Sequence, residues 1–385
     1  MKRKRIALRV DPVGAYGRHV IAGIAAFAHH RPEWQLFIRG LHGGSELADE
    51  TGQPMDAAVL QDIGTRTLAR VLEAGLPMVR AGSVKVDAPM PTVMADNQAI
   101  GRLAAGHLLE RGLRQLVYYA QGSHGASLMR ERGFRQAVEG AGARFWRFDA
   151  PADRWQAQAE QPQQSLAQWL VSLPRPVGVF AFNDIRAVAV VRAAQTAGLA
   201  VPDDVAVLGV DDDPLVAAQV PMGLSSSPPN AWRIGRRAAA LLDGMLGGRQ
   251  VPPDHLELIP PPDAVARTST GTMAVSDEMV ALILRRIQQR FADPQLLIDP
   301  LIEDQPISRR AFERRFHEAV GRSPGEHIRH LRLRRARELL ANPRMPLEEV
   351  AKLSGFSGAR HMGVAFRRQL GTAPMAYRRQ CLECV

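Results

Sequence analysis

Along the first two-thirds of the chain, short apolar, β-branched runs alternate with longer stretches in which apolar residues recur every three or four positions. That alternation predicts strands each followed by a helix, and hence parallel sheets covered on both faces. The strand runs are residues 6–10, 34–38, 57–60, 77–81, 116–119, 145–148, 177–182 and 205–210, with helical stretches such as 18–29, 97–110, 128–140 and 185–197 between them. Two such sets predict two lobes. Proline-rich stretches at 251–253 and 259–262 then close the pattern, and from Ser276 onward every long segment reads as helix. The expected architecture is a multidomain chain: a two-lobed α/β domain over 1–265, a linker over 266–275 and an all-α domain over 276–385. Ser276 is placed to cap the first helix of that last domain, where Met279, Ile283 and Ile287 share a face.

Within the all-α part, 347–370 reads as a helix-turn-helix unit. Leu347, Val350, Ala351 and Leu353 give its first helix an apolar stripe, Gly355 permits a sharp turn, and Phe356 suits the corner. Ser357 is placed to cap the second helix. Met362, Ala365, Phe366 and Leu370 would face inward there, leaving Ala359, Arg360, Gly363, Val364 and Arg367 outward. A second copy spans about 296–319. Leu296 to Asp304 is its supporting helix, and Ser308 caps a helix that hides Phe312, Phe316 and Ala319 and shows Arg310, Glu313, Arg314 and His317. Residues 325–342 read as one long helix joining the copies. Two exposed helices at fixed spacing can enter successive major grooves, about 10 base pairs apart.

Charge sharpens this picture. Residues 1–276 carry 29 Lys and Arg against 26 Asp and Glu, whereas 305–380 carry 17 against 6, so the excess lies where the paired units lie. A basic surface of that kind suits phosphates. The two cysteines, Cys381 and Cys384, fall at the extreme C-terminus and supply only half of a tetrahedral zinc site, so no disulfide framework, metal or cofactor is expected. The basic start runs straight into a strand rather than an apolar export segment, and no run of about 18 apolar residues exists, so a cytoplasmic protein without a membrane span is expected.

The ordered set Ser308-Arg-Arg-Ala-Phe-Glu-Arg-Arg-Phe, Gly321-Arg-Ser-Pro-Gly-Glu-His-Ile, Arg332-Leu-Arg-Arg-Ala-Arg-Glu-Leu-Leu, Val350-Ala-Lys-Leu-Ser-Gly-Phe-Ser and Ala365-Phe-Arg-Arg-Gln-Leu-Gly-Thr-Ala-Pro resembles the AraC/XylS family DNA-binding domain. The resemblance implies double-stranded DNA as a partner. Ser308, Arg309, Arg310 and Arg314 would meet it from the first unit, and Ser357, Arg360, Gly363, Val364 and Arg367 from the second. Arg310, Arg314 and Arg360 are the candidates for base edges; Arg309, Arg367 and Arg368 suit phosphates. Pro306 and Val364 depart from the family pattern. Val364 stands where an arginine is usual and can touch only a thymine methyl, so Arg360 is left to discriminate bases in the second unit.

In parallel α/β lobes, ligands bind beyond the carboxyl ends of strands. Four polar clusters stand there: 11–18, 121–130, 183–186 and 211–213. Carboxylates, an amide and arginines suit a polyol, whose hydroxyls both donate and accept. The clusters, with Met94-Ala-Asp-Asn97, Arg130-Glu-Arg-Gly-Phe134, Phe182-Asn-Asp184 and Val201-Pro-Asp-Asp-Val-Ala-Val-Leu-Gly-Val-Asp-Asp212, resemble the LacI/GalR-type periplasmic-binding-protein-like effector domain. Effector contacts are therefore expected from Tyr16, Arg18, Asp96, Arg130, Asn183, Asp184 and Asp211. Asp96, Asn97 and Asp184 also suit helix capping, and Asp212 or Asp213 a turn. An effector domain followed by an AraC-type domain, opening on Ala15-Tyr-Gly-Arg-His-Val-Ile-Ala-Gly, resembles the xylose-operon type of regulator. That implies a sugar effector, a homodimer, and RNA polymerase as a further partner. The competing expectation is a carbohydrate-active enzyme or sugar-binding protein using the carboxylates of 211–213.

Overall fold

The computed structural model describes residues 3–39, 53–61, 73, 75–82, 90–122, 124–149, 160–271, 277–340, 342 and 345–382. Strand β1 (Lys4–Arg9) leads through α1 (Ala15–Ala28) to β2 (Trp34–Arg39), β3 (Ala57–Leu60), β4 (Met78–Gly82) and β5 (Thr92–Ala95). Helix α2 (Asn97–Leu109) opens the second lobe. Then follow β6 (Gln115–Ala120), α3 (Gly125–Gly140), β7 (Arg144–Asp149), α4 (Glu160–Ser172), β8 (Val177–Ala181), α5 (Asp184–Thr196), β9 (Val205–Val210), the short α6 (Pro214–Ala217) and β10 (Ser225–Ser227). Helix α7 (Ala231–Leu246) and β11 (Leu256–Ile259) return to the first lobe.

Both sheets are parallel and follow one plan. The first has the order β2-β1-β3-β4-β5-β11 and the second β7-β6-β8-β9-β10. In each lobe the chain lays one strand, steps to one side, then crosses back, so connections diverge at the carboxyl ends of β1 and β6 and leave a crevice there. Covered on both faces, β3, β4, β5, β8 and β9 are buried at every position, which is why they read as unbroken apolar runs.

Helices α2 and α3 meet backbone to backbone. A Cβ on Gly101 would lie 2.1 Å from the Arg130 carbonyl oxygen, and one on Gly133 2.1 Å from that of Gln98. Only glycine permits this approach. Residues 265–270 are tied into the second lobe: Val265 bridges Ser226, the Ser269 hydroxyl donates to the Val207 carbonyl at 2.7 Å, and the Thr270 hydroxyl sits 2.9 Å from His107 Nε2. Of the expected linker, 272–275 lie outside the described residues, as do Ser276 and Cys384.

The last part is all helix: α8 (Glu278–Arg290), α9 (Asp299–Ile302), α10 (Arg309–Val320), α11 (Pro324–Leu340), α12 (Leu347–Leu353), α13 (Ala359–Leu370) and α14 (Pro374–Leu382). It has two cores, one under α10 around Phe312 and Phe316, the other under α13 around Met362 and Phe366. Helix α11 feeds both, with Ile328 and Leu331 in the first and Leu333, Ala336 and Leu340 in the second. The two units are thereby fixed to one rod. Gly355 turns at φ +81°, and a Cβ there would strike the Phe291 carbonyl at 2.4 Å.

Several local expectations are corrected. Asp277 caps α8, accepting from the Val280 amide at 3.2 Å. The supporting helix of the first unit shrinks to α9, because Pro300 at its first turn and the Pro306 turn leave room for little more. Ser357 does not cap α13. The cap position is Gly358, the Ala359 amide is taken by the Glu348 carboxylate at 3.1 Å, and the Ser357 hydroxyl faces His361 at 3.1 Å. Gly363 is buried rather than outward, and Leu353 is exposed.

Candidate effector cleft and nucleic-acid interface

The two crevices face one another, and the second cluster supplies the central cation. Arg130, on α3 after β6, is buried; its Nε donates to Asn97 Oδ1 at 2.9 Å, its Nη1 to the Phe182 carbonyl, and its guanidinium lies 4.7 Å over the Phe182 ring. Arg18, on α1 of the other lobe, donates to Asp213 Oδ2 at 2.9 Å and to the Val13 carbonyl. That ion pair joins the lobes across the cleft. Tyr16 is buried and gives its hydroxyl to the Gly82 carbonyl at 2.6 Å.

The turn after β9 is strained. Asp211 and Asp212 both hold positive φ, +110° and +52°, which a residue with a Cβ sustains only where its surroundings over-determine it. Here the surroundings are explicit. Asp184, enclosed beneath the turn, accepts from the Asp213 amide at 2.8 Å and the Ser226 hydroxyl at 2.7 Å; Ser226 takes the Asp212 amide at 2.9 Å; Arg267 pairs with Asp212 at 2.7 Å. Asp184 thus shapes the turn from below. Asp184→Ala is expected to lose about 3 kcal/mol of stability, since it strands the buried donors, and to lower effector affinity with it. Paired thermal melts and calorimetry check this; a stable variant with unaltered binding refutes the role.

Electrostatics single out Asp211. Burial pushes its carboxyl up to about 6, with Arg130 and Arg18 pulling it back and Asp213 adding to the rise. Burial, and then the Asp211 charge, hold Asp184 well above the usual carboxylate range. Asp96 and Asn183 act as N-caps, of α2 through the Ala99 amide at 2.8 Å and of α5 through the Arg186 amide at 3.0 Å. The structure therefore brings Arg18, Arg130 and Asp211 together and gives Tyr16, Asp96, Asn183 and Asp184 local duties. The Arg18–Asp213 bridge had no sequence signal, because the partners are 195 positions apart.

On α10, Ser308 caps through the Ala311 amide at 3.3 Å, and Arg309, Arg310, Arg314 and His317 are exposed. Arg309 is tied to Asp299 and Glu313, both at 3.0 Å; Arg310 and Arg314 make no such bond among the described residues. On α13, Arg360, Val364, Arg367 and Arg368 are exposed.

A contact between the domains was not foreseen. Glu110, directly after α2, receives His330 Nε2 at 2.9 Å and lies 3.6 Å from Arg322, while Arg114 donates to the Ala319 carbonyl at 3.2 Å. These hydrogen bonds and charges hold the Glu110 carboxyl down at about 2 against the cost of burial. Helix α2 thus runs from Asn97, the partner of Arg130, to the rod that carries both helix-turn-helix units.

Models of known domains match two stretches of the chain: a periplasmic binding protein-like domain over residues 105–270, and a helix-turn-helix domain over residues 305–380. The chain is a transcription regulator, with a periplasmic binding protein-like domain followed by a helix-turn-helix DNA-binding domain. The regulator is 27% identical to the xylose operon regulatory protein of Escherichia coli (strain K12), over 98% of its own length and 97% of that protein's. The xylose operon regulatory protein of Haemophilus influenzae is 26% identical, over 98% of each chain. The solved structure of the xylose-binding transcription activator xylR superposes with a TM-score of 0.63 at 26% identity, covering 99% of both chains. The regulator shares its fold with the cellobiose complex of the transcriptional regulator CelR, at a TM-score of 0.58 and 24% identity, over 70% of this chain and 85% of the other. Among its described residues, no helix is long and apolar enough to cross a membrane.

Proposed function

We propose that the regulator senses a sugar between its lobes, with Arg18, Arg130 and Asp211 as the polar contacts and a pentose such as xylose as the first ligand to test. The observation that carries this reading is the strained turn at Asp211, aimed at a buried arginine in a cleft bridged by Arg18 and Asp213. Likeness to xylose operon regulatory proteins over nearly the full length supports the choice of sugar. Calorimetry against a panel of monosaccharides tests it; no binding by any would sink it.

Hydroxyl donation favours the ionised form of Asp211, so below about pH 6 binding releases a proton. Affinity is expected to rise with pH up to about 6 and then level off, falling about tenfold per pH unit below that value. A pH-independent Kd from 4.5 to 7.5 would remove Asp211 from the contacts.

DNA recognition is assigned to α10 and α13. Arg314→Ala and Arg360→Ala are each expected to cost about 1–3 kcal/mol on the specific site, whereas Arg309→Ala costs little because Asp299 and Glu313 already hold it. Mobility shifts at fixed salt decide. Ser308, Ser357, Val364 and Arg367 suit backbone or methyl contacts, and the buried Gly363 is withdrawn from the DNA face.

The same reading includes a homodimer, contact with RNA polymerase, a domain division at 266–275 and cytoplasmic residence. It includes no catalysis. Asp212 is held by Arg267 and Asp213 by Arg18, so two of the three carboxylates of 211–213 are engaged in ion pairs.

A further inference from the structure

We propose that the seam between the two domains is a second ligand site, taking a small phosphate-class anion between Arg111 and Arg334. The seam encloses a cavity of about 380 Å³, lined by Arg111, Thr268 and Thr270 from the effector domain and by Gln288, His327 and Arg334 from the DNA-binding domain.

Its charges do not balance. Arg111 is oriented by neutral acceptors only, donating Nε to the Thr270 carbonyl and Nη1 to the His107 carbonyl, both bonds fixed from its own domain. Arg334 is half-buried on α11 and has no acceptor among the described residues. The one carboxylate lining the cavity, Glu110, is already engaged by His330 and Arg322. Arg267, also at the wall, is paired with Asp212.

The surplus is felt by its neighbours. Burial, and then the Arg334 charge, push the Arg111 guanidinium down to about 10. His107 is driven well below the usual imidazole range by burial, then by Arg111 and Arg334. His327, at 2% exposure, is held at about 4 by burial and then by the Arg322 charge, with Arg334 adding least, and neither of its ring nitrogens has a hydrogen-bond partner in the described structure. Two guanidiniums that line one partly buried cavity and feel one another's charge, with the Thr268 hydroxyl, the Gln288 amide and the His327 imidazole beside them, match a tetrahedral oxyanion that accepts from the free Nη2 of Arg111 and from the Arg334 fork. The volume admits inorganic phosphate with water or a phosphorylated monosaccharide. DNA is a poor occupant, because Arg334 lines the seam cavity together with Arg111 and Glu110 of the effector domain.

The anion would touch both domains at once, and so would couple reciprocally to DNA binding. Full-length protein without DNA is titrated with sodium phosphate, sodium sulfate and a phosphorylated pentose at constant ionic strength, by thermal shift and calorimetry. Saturable stabilisation is expected. Arg334→Gln, which removes a side chain with no hydrogen-bond partner and should fold normally, is expected to weaken binding at least about tenfold. Arg314→Gln, on the DNA-reading helix, should leave phosphate binding unchanged. Tighter binding of the phosphorylated pentose marks a sugar phosphate as the occupant and equal binding marks free phosphate; either supports the site. The proposal is overturned if sodium chloride stabilises equally, if Arg334→Gln binds phosphate as wild type does, or if Arg314→Gln abolishes the effect.

Discussion

Asp211→Asn is expected to make the ligand-free protein more stable at neutral pH and, at the same time, to abolish its response to sugar. The two effects have one cause. The Asp211 carboxyl titrates at about 6 in the folded protein, above its ordinary 3.8, so its contribution to stability is complete below 3.8 and is lost as pH rises through 6. At pH 7.5 the ionised group is a liability. Asparagine keeps the shape without the charge, and a gain of about 1–3 kcal/mol is expected after allowing for partial solvent screening. The gain should vanish near pH 4, where wild type carries no charge there either. The sugar loses charge-assisted acceptors worth about 1.5–3 kcal/mol each, so affinity should fall at least about tenfold. Arg130→Met should behave oppositely in stability, losing about 3–5 kcal/mol, because Asn97, the Phe182 carbonyl and the Asp211 charge are all left without their cation. Melting curves at pH 4 and 7.5 with calorimetry separate these outcomes. A destabilised Asp211→Asn that still binds sugar would mean that the turn is structural only.

Glu110→Gln is expected to leave sugar affinity near wild type while removing most of the effect of sugar on DNA binding. Helix α2 spans about 20 Å from Asn97 to Leu109. Its first residue holds Arg130, its Gly101 backbone lies against the Arg130 carbonyl, and the residue just beyond its end holds His330 and Arg322 of the DNA-binding domain. A shift of Arg130 on ligand closure therefore moves a stiff element whose far end grips the rod beneath both reading helices. Losing the Glu110 charge weakens the grip without touching the cleft. The measurement is DNA affinity with and without saturating sugar: the ratio should collapse towards one in the variant. An unchanged ratio would place the coupling elsewhere. Because the Glu110 carboxyl titrates near 2, its contribution is present above its ordinary 4.5 and lost as pH falls towards 2, so coupling should be insensitive to pH around neutrality on this group's account.

The two-lobed parallel fold, the paired helix-turn-helix units and the basic reading surface were readable from local pattern. Each depends on periodicity, glycine and proline placement and charge density, which act over a few residues. Gly355 shows this well: its need for positive φ could be inferred from the hydrophobic runs on either side. The capping of α13 shows the limit. Ser357 has the right chemistry one position too early, and Glu348, from the preceding helix, takes the amide instead.

Strand ends in a parallel sheet marked the clusters that hold Arg18, Arg130 and Asp211, and the resemblance to LacI/GalR-type effector domains picked Arg130 and Asp211 out of them. The chain alone did not say which of the neighbouring polar residues face the cleft. Asp184 is turned beneath the 211–213 turn, Asn183 and Asp96 cap helices, and Asp213 meets Arg18 from the other lobe. Only folding decided those partners, as it decided the Glu110 contact and the unbalanced arginines of the seam. The reason is physical: secondary structure and core burial are fixed by short-range pattern, whereas the energy of a buried charge depends on every charge brought within a few ångströms of it, and those come from anywhere in the chain.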